Sequence, residues 1–294
     1  MNLEELIYQK LQQDATLSDQ LSVFAELPAI FWGQAPEDTD EGWANAQYPR
    51  VDYVADRSWD PERKVEGALI LNVWCLVSSA VVPEVIEDRL RSLLDGAVFH
   101  PADEPVTALR WNRSDPFEAS NRGDGDELIV GVTVSFDLLA FPAQTTYSPD
   151  PIASLNAWAG DKYAELQVDP ASWSPSDSTP ALYWRLSGVT AVERTNWGIW
   201  VTVSVAGHIL APSPATRLNW IRQLVEAAAR AKRIRMDDGS PMFVTRVSAD
   251  SSQDSFREGQ VRLSARFGVL NEAIIAEKLG QLTINSDHGG GVVK

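Results

Sequence analysis

Through the first 27 residues, apolar side chains recur at the three- and four-residue spacing of an amphipathic helix. These positions are Leu3, Leu6, Ile7, Leu11, Leu17, Leu21 and Phe24. Asn2 is suited to cap this helix, and Glu4 and Glu5 follow in the first turn, where the helix dipole favours anions. The pattern therefore predicts an N-terminal helix, with a break near Asp14.

Apolar runs and alternating patterns of strand length follow, and they predict a sheet. The predicted strands are 29–32, 48–54, 67–77, 106–111 and 127–141. Polar segments separate them, and the longest of these are predicted loops: 34–47, 56–66 and 112–126. A proline-led amphipathic segment, residues 83–94, predicts a helix whose inward face holds Leu90, Leu93 and Leu94.

The strand and helix of residues 67–94 occur a second time, 131 positions further along. The paired positions include Gly67 and Gly198, Pro83 and Pro214, and Arg91 and Arg222. The second series predicts strands at 180–184, 198–205, 243–247 and 258–269, and a helix at 214–225. We therefore predict an α+β fold of two related domains, produced by duplication, each a mainly antiparallel sheet packed against one or two helices.

Clusters of Pro, Ser and Thr predict the domain boundaries. Residues 1–142 form the first predicted domain, and residues 143–179 form a linker that contains a short helix near 152–166. Residues 180–280 form the second predicted domain. Residues 281–294, which include a Gly-Gly-Gly run, are predicted to be a flexible tail.

The composition is that of a globular protein, with 44% hydrophobic and 22% charged residues and 11 Trp in 294 residues. Charge is distributed unevenly: residues 1–150 carry a net −17 and residues 151–294 a net +1. An acidic first half repels duplex DNA and anionic membranes, so sequence-independent binding to either is disfavoured. No apolar run is long enough to span a bilayer, and the acidic N-terminus is unlike a signal peptide.

No segment fits a phosphate loop, a dinucleotide-binding glycine set, a nucleophile elbow or a zinc-binding helix motif. The histidines, His100, His208 and His288, are scattered, and Cys75 lies in an apolar strand as a predicted buried thiol. We therefore predict no catalytic, cofactor-binding or metal-binding residue and no cofactor.

A few short motifs are weaker evidence of a functional site. Acidic residues at 123–127 offer oxygen ligands for Ca²⁺, but the spacing is not that of an EF-hand and a turn explains them equally. Residues 112–114 match a glycosylation acceptor and residues 122–124 an Arg-Gly-Asp tripeptide, and both are too short to be informative. A basic run after the second helix is either a solvated helix end or a docking surface for an acidic neighbour. Its residues are Arg230, Lys232, Arg233 and Arg235.

The first half also resembles a known family. The resemblance is carried by the segment Leu-Glu-Glu-Leu-Ile at 3–7, Tyr-Pro-Arg-Val-Asp-Tyr at 48–53, the strand that begins at Gly67, and the helix end Arg-Leu-Arg-Ser-Leu-Leu at 89–94. In element order and sequence these resemble the tail-terminator (tail-completion) proteins of tailed bacteriophages and related particles. The resemblance covers roughly residues 1–142.

The resemblance implies a non-enzymatic virion protein that is assembled in the host cytoplasm as a homo-oligomeric ring, usually a hexamer. Such a ring caps the tail tube protein, stops its polymerisation and joins the tail to the head-tail connector or neck, in some tails with a contact to the sheath. DNA passes through the channel without specific binding. We expect the acidic first domain to line this channel and the second domain to lie outside it, and six copies rather than a trimer.

The three predicted polar loops are candidates for contact with neighbouring rings. Two other classes of function stay open. One is another tail or neck component, such as a tube, baseplate or adaptor ring protein. The other is a small-molecule enzyme with an unrecognised carboxylate site, for which Asp115 and Glu118 are the candidates.

Overall fold

A computed structural model describes residues 1–44, 46–57, 65–120, 127–144, 148–271, 282–284 and 291–293. The helices in this part of the chain are α1 (Leu3–Gln12), α2 (Ala15–Ser18), α3 (Pro83–Leu94), α4 (Pro151–Lys162) and α5 (Pro214–Ala231). The strands of the first half are β1 (Val23–Phe24), β2 (Leu27–Pro28), β3 (Ile30–Trp32), β4 (Arg50–Arg57), β5 (Val65–Leu76), β6 (Val98–Phe99), β7 (Val106–Ser120) and β8 (Leu128–Phe141). Those of the second half are β9 (Ala181–Arg194), β10 (Gly198–Leu210), β11 (Arg233–Arg235), β12 (Pro241–Ala249), β13 (Val261–Leu270), β14 (Leu282–Ile284) and β15 (Gly291–Val293). The fold is α+β, as predicted.

The first sheet has six strands in the order β3-β4-β5-β8-β7-β6. Strands β3 and β4 are parallel, and the remaining neighbours are antiparallel. Helices α1, α2 and α3 pack on one face of this sheet, because their apolar stripes meet the alternate inward residues of β4, β5 and β8. Leu90 and Leu94 of α3 are fully buried in this core, whereas Leu93 is half-buried at its edge.

The N-terminal helix begins where the sequence predicts it. The Asn2 side chain accepts a hydrogen bond from the Glu5 N–H, and the Glu5 carboxylate accepts one from the Asn2 N–H, which completes a capping box. Asp14 caps α2 through the Leu17 N–H and also accepts a 2.8 Å hydrogen bond from Arg89 Nε of α3. The predicted break at Asp14 is therefore the junction between α1 and α2. The helical prediction is wrong beyond Ser18, since Phe24 lies in β1 and Leu27 in β2, which pair with each other.

The second sheet has five antiparallel strands in the order β11-β12-β13-β10-β9. Helices α4 and α5 cover one face, and their apolar residues pack on the inward residues of β9, β10 and β13. Trp184 and Leu182 of β9 lie in this core with exposures of 1% and 0%. The second sheet therefore has its own hydrophobic core.

The two sheets have corresponding strand orders. The order β4-β5-β8-β7-β6 of the first sheet matches β9-β10-β13-β12-β11 of the second. A long helix follows the second strand of each order, α3 after β5 and α5 after β10. The parallel strand β3 has a reduced counterpart, a single parallel bridge between Gln167 and Ala181 beside β9. The matching elements lie close to the 131-residue offset of the sequence.

Strands β9 and β10 continue to Arg194 and Leu210, beyond their predicted ends at 184 and 205, and four further boundaries differ from the predictions. Strand β7 continues to Ser120, so the predicted loop at 112–126 is strand over its first nine residues, and 121–126 lie outside the described residues. Helix α5 extends to Ala231 rather than 225, because residues 226–231 are rich in alanine, the strongest helix former.

The other two differences concern the linker and the tail. Helix α4, in the predicted linker, packs into the second core through Ile152, Leu155 and Ala159, so the second unit begins near residue 150 rather than 180. Within the predicted flexible tail, β14 and β15 pair as an antiparallel hairpin.

An aromatic contact joins the two sheets. Phe141 at the end of β8 is 2% exposed, and its ring centroid lies 5.2 Å from Trp173, 5.2 Å from Tyr183 and 5.9 Å from His208. The Tyr183 hydroxyl donates to the Pro142 carbonyl at 2.8 Å. This third apolar cluster draws residues from both halves of the chain, so it is a domain interface rather than part of either core.

Two ion pairs flank the aromatic contact. Arg110 Nε of β7 lies 2.7 Å from Asp254 Oδ2, and Arg257 Nη2 lies 2.7 Å from Asp137 Oδ2 of β8. Burial alone would raise the pKa of Asp254, but hydrogen bonding and charge from Arg110, with backbone N–H donors, outweigh it and hold this pKa below its usual value. The interface is therefore held by aromatic packing and by charge-assisted hydrogen bonds.

Candidate interaction surfaces

Each sheet has helices on one face, and its opposite face is here called the outer face. The strand register places Asp52, Asn72, Thr133 and Asp115 in one row across the outer face of the first sheet. Asp52 is 8% exposed and accepts hydrogen bonds from Asn72 Nδ2 at 2.8 Å and from the Trp74 indole N–H. Burial raises the pKa of Asp52, although these two donors and Arg50 oppose the shift.

A second row on this face is aromatic. Trp74 and Phe117 make an edge-to-face contact at 4.7 Å, directly above Gly131 of β8. A Cβ at Gly131 would lie 2.2 Å from Phe117 Cζ, so only glycine lets this ring lie on the sheet. The outer face is thus a shaped polar and aromatic surface.

The arginines of this outer face are neutralised locally. Arg50 pairs with Asp38 at 2.6 Å, Arg113 with Asp115 at 3.1 Å, and Arg110 with Asp95 at 2.8 Å as well as with Asp254. Because these arginines offset the aspartates, the strong acidity of the first half does not lie on the outer face of its sheet.

Part of that acidity lies in residues 37–41, here called the acidic loop, which presents exposed Glu37, Asp40 and Glu41. The loop is supported by a trio of rings, Phe24, Phe31 and Trp43, with centroid separations of 5.0–5.7 Å. The Trp43 indole N–H donates to the Glu37 carbonyl at 3.0 Å. Trp32, on the neighbouring edge strand β3, is 68% exposed. The acidic loop is therefore a built surface feature at the β3 edge of the first sheet.

The outer face of the second sheet has the opposite charge. Arginines project from β9, β11, β12 and β13 on the side opposite to the core residues of the same strands, and we call this surface the basic face. Its arginines are Arg185, Arg233, Arg235, Arg246, Arg262 and Arg266. Among the described residues, the ion pair on this face joins Arg266 to Glu193 at 2.6 Å. Small residues cover the sheet between the arginines.

Two aromatic residues complete the basic face. Trp200 and Phe243 stack edge to face at 6.3 Å, and the Arg266 guanidinium lies 4.8 Å from the Trp200 ring centroid. Phe243 is 39% exposed, and Arg246 and Arg262 are exposed. Sequence analysis did not find this surface, because its arginines come from separate strands; the available signal was the alternation of Arg262, Ser264 and Arg266 with apolar residues over 261–267.

The predicted basic run is split between two settings. Arg230 lies in the last turn of α5 and pairs with Glu226 at 3.3 Å, while its side chain stays 82% exposed. Lys232 ends the helix, and Arg233 and Arg235 are exposed on β11, on either side of buried Ile234. Arg230 is separate from the basic face, because α5 lies on the other face of the sheet, whereas Arg233 and Arg235 leave β11 on the side of the basic face and Arg233 lies opposite Phe243.

The scattered histidines and the cysteine have structural surroundings. His100 Nε2 donates to the Trp173 carbonyl at 2.7 Å, and buried His208 Nδ1 donates to the Ser255 carbonyl at 2.8 Å. Both bonds support the domain interface or the loop beside it. Cys75 is buried, as predicted, and burial raises the pKa of its thiol to about 12. His288 lies outside the described residues.

The two candidate carboxylates of the enzyme hypothesis are not brought together. Asp115 and Glu118 lie three residues apart on a regular stretch of β7, so their side chains leave opposite faces of the sheet. Asn112, the first residue of the glycosylation-like tripeptide at 112–114, donates a hydrogen bond to Asp137 at 2.8 Å. Of the predicted acidic turn, only Glu127 lies within the described residues, and it accepts a hydrogen bond from Ser78.

In the described part of the chain, no group of three or more His, Cys, Asp or Glu residues is arranged to hold a metal ion. Within the same residues, none of the helices has the length and apolar character needed to cross a membrane. Comparisons with protein-family models, with curated proteins and with solved structures gave no match.

Proposed function

We propose that this chain is a structural protein that assembles into a ring and terminates the tail tube of a phage or phage-like particle. In this role it caps the tube, stops its polymerisation and provides the surface that joins the head or neck. Six copies form the ring, its location is the virion, and no reaction is catalysed. The proposal rests on the resemblance of residues 1–142 to tail-terminator proteins.

The structural observation that supports it most is the repeated architecture. Two sheets with the same strand order, each with helices on one face, suit duplicated modules placed side by side in a ring. We propose that the second domain is a divergent duplicate of the first. The interface at Phe141 holds the two modules together as one building block.

Charge supports the proposed orientation. The first half, at −17, suits the wall of a channel through which DNA slides, because like charge keeps the duplex from adhering. The basic face of the second sheet would retain DNA, so a position outside the channel suits the second domain. Placement of the second domain in the channel of a particle would contradict this orientation.

A rival role as a tail tube or baseplate protein is favoured by one observation. Beyond the Gln167 bridge, the described residues place no strand beside the outer edge of β9, and Val189 and Val192 on it are 57% and 56% exposed. An open apolar edge strand is suited to pair with another chain.

Electron microscopy of the purified protein, alone and mixed with tail tubes, separates these roles. A terminator remains a finite ring and binds one end of each tube, whereas a tube protein polymerises. A monomer that ignores tubes would contradict both. Phage-neck components, the sheath and the tube protein are the partners to test by co-purification.

A further inference from the structure

We propose that the basic face of one copy docks on the acidic loop of the next copy, and that this contact closes the ring. The inference rests on the proposed function, because it names the partner surface that such a ring would use. It is carried by the opposite charges of two exposed surfaces on the same chain.

The two surfaces have complementary chemistry. The arginines of the basic face outnumber the carboxylates beside them, Glu193 next to Arg266 and Asp250 near Arg262, and the aromatic residues offer apolar area beside the charge. The acidic loop presents three exposed carboxylates, and exposed Trp32 and Leu27 lie on neighbouring strands. A surface that pairs arginine and aromatic side chains with carboxylates and apolar groups is typical of a protein interface.

Within one molecule the two surfaces are held apart. The second domain contacts the first sheet through β7 and β8, whereas the acidic loop lies beyond β4, at the β3 edge. In the order β3-β4-β5-β8, the β3 edge lies about 14 Å from β8, at roughly 4.8 Å between neighbouring strands. None of the ion pairs of the described residues joins the acidic loop to the second domain, so we place the contact between the acidic loop of one copy and the basic face of a second copy.

The contact is heterologous, because the two docking surfaces differ. Heterologous contacts between identical chains repeat around a rotation axis and generate a closed ring when the rotation closes. Each copy uses one basic face and one acidic loop, so all the surfaces of this kind are filled in a closed ring. This geometry limits the number of copies around the axis of the ring.

The support of the acidic loop fits this role. The three stacked rings and the Trp43 hydrogen bond hold the carboxylates in place before contact, so little order must be gained on docking. On the other side, the arginines project from the strands of a hydrogen-bonded sheet that packs on its own core. Both surfaces are preformed.

Charge reversal and its rescue test the contact. The double variant Arg246→Glu/Arg262→Glu and the double variant Asp40→Arg/Glu41→Arg are each expected to raise the concentration for half-assembly by about tenfold or more, because like charges then face each other. The quadruple variant restores opposite charges and is expected to recover rings. Arg222→Glu is the matched control, since Arg222 is exposed on α5, on the other side of the sheet. Native mass spectrometry and electron microscopy give the ring populations, and circular dichroism confirms folding.

The outcomes separate the inference from the function on which it rests. Rescue by the quadruple variant, with ring formation that weakens as salt increases, supports the contact. Rings that persist in both double variants, or folded double variants that the quadruple variant fails to rescue, overturn the contact but leave the terminator role intact. Retention of DNA by the basic face in fully assembled wild-type rings also overturns it. A wild-type chain that stays monomeric, alone and with tubes, overturns both.

Discussion

Replacing Phe141 with alanine should uncouple the two domains. Its ring is 2% exposed and meets Trp173, Tyr183 and His208, all of which belong to the second half of the chain. Removal of a buried phenylalanine side chain costs about 3–5 kcal/mol, and each lost aromatic pair accounts for about 0.5–1.5 kcal/mol beyond area burial. Because the cavity opens between the cores and not inside one, the loss falls on the coupling between domains.

Calorimetry and urea unfolding measure this effect. The wild-type chain is expected to unfold in one cooperative transition, and Phe141→Ala in two. The summed free energy of unfolding of the variant should be lower by about 3–5 kcal/mol. Phe136→Ala is the matched control: Phe136 lies five residues earlier on β8, is fully buried in the first core and faces α3. It should destabilise the first domain by a similar amount without splitting the transition. Identical unfolding profiles for the two variants, or a loss below about 1 kcal/mol for Phe141→Ala, would refute the reasoning.

Three further measurements follow from single sites. Gly160→Ala should stabilise the protein by about 0.5–1 kcal/mol, because the glycine lies inside α4 and a Cβ would make only an ordinary 3.6 Å contact. Gly198→Ala should lower the melting temperature, since its Cβ would lie 2.1 Å from a backbone oxygen of β13. Equal melting temperatures for the Gly160→Ala and Gly198→Ala variants would contradict both of these predictions. NMR titration should find a pKa above the aspartate value of about 3.9 for Asp52, because its side chain is buried. It should find a pKa below that value for Asp14, because of the hydrogen bond from Arg89, and the reverse order would contradict the structure. Because the pKa of Asp254 is lowered in the folded state, its contribution to the free energy of unfolding is present above about pH 4 and is lost as the pH falls further. Acid unfolding of Asp254→Asn should lack this pH-dependent contribution, and an acid-unfolding profile equal to that of the wild type would count against it.

The sequence by itself determined the elements whose patterns are local. Helix α3 has the predicted bounds, 83–94, because a proline at its first position and an apolar stripe on one face specify a helix whatever it packs against. The capping box at Asn2 and Glu5 is local for the same reason. Burial of Cys75 followed from its place in an apolar strand.

The tertiary structure decided the elements that depend on a partner strand. Residues 112–120 are polar and contain a proline, so they were predicted to be a loop, yet they continue β7. Their register with β8 provides the backbone hydrogen bonds, and alternate side chains point to the open outer face, where polarity costs little. Helix α4, in the predicted linker, likewise depends on the second sheet, which provides the apolar face on which the helix packs.

The candidate surfaces were beyond sequence reasoning for a geometric reason. The sequence showed that charge divides unevenly between the halves, but net charge does not say which face carries it. Arg185, Arg246 and Arg262 lie on three strands and become neighbours only when the register of β9, β10, β12 and β13 aligns them. Similarly, Phe141 and Tyr183 lie 42 residues apart in the chain and meet because both leave the outer faces of their sheets. Local spacing specifies which residues share an element, whereas contacts between distant residues depend on how the sheets are ordered and packed.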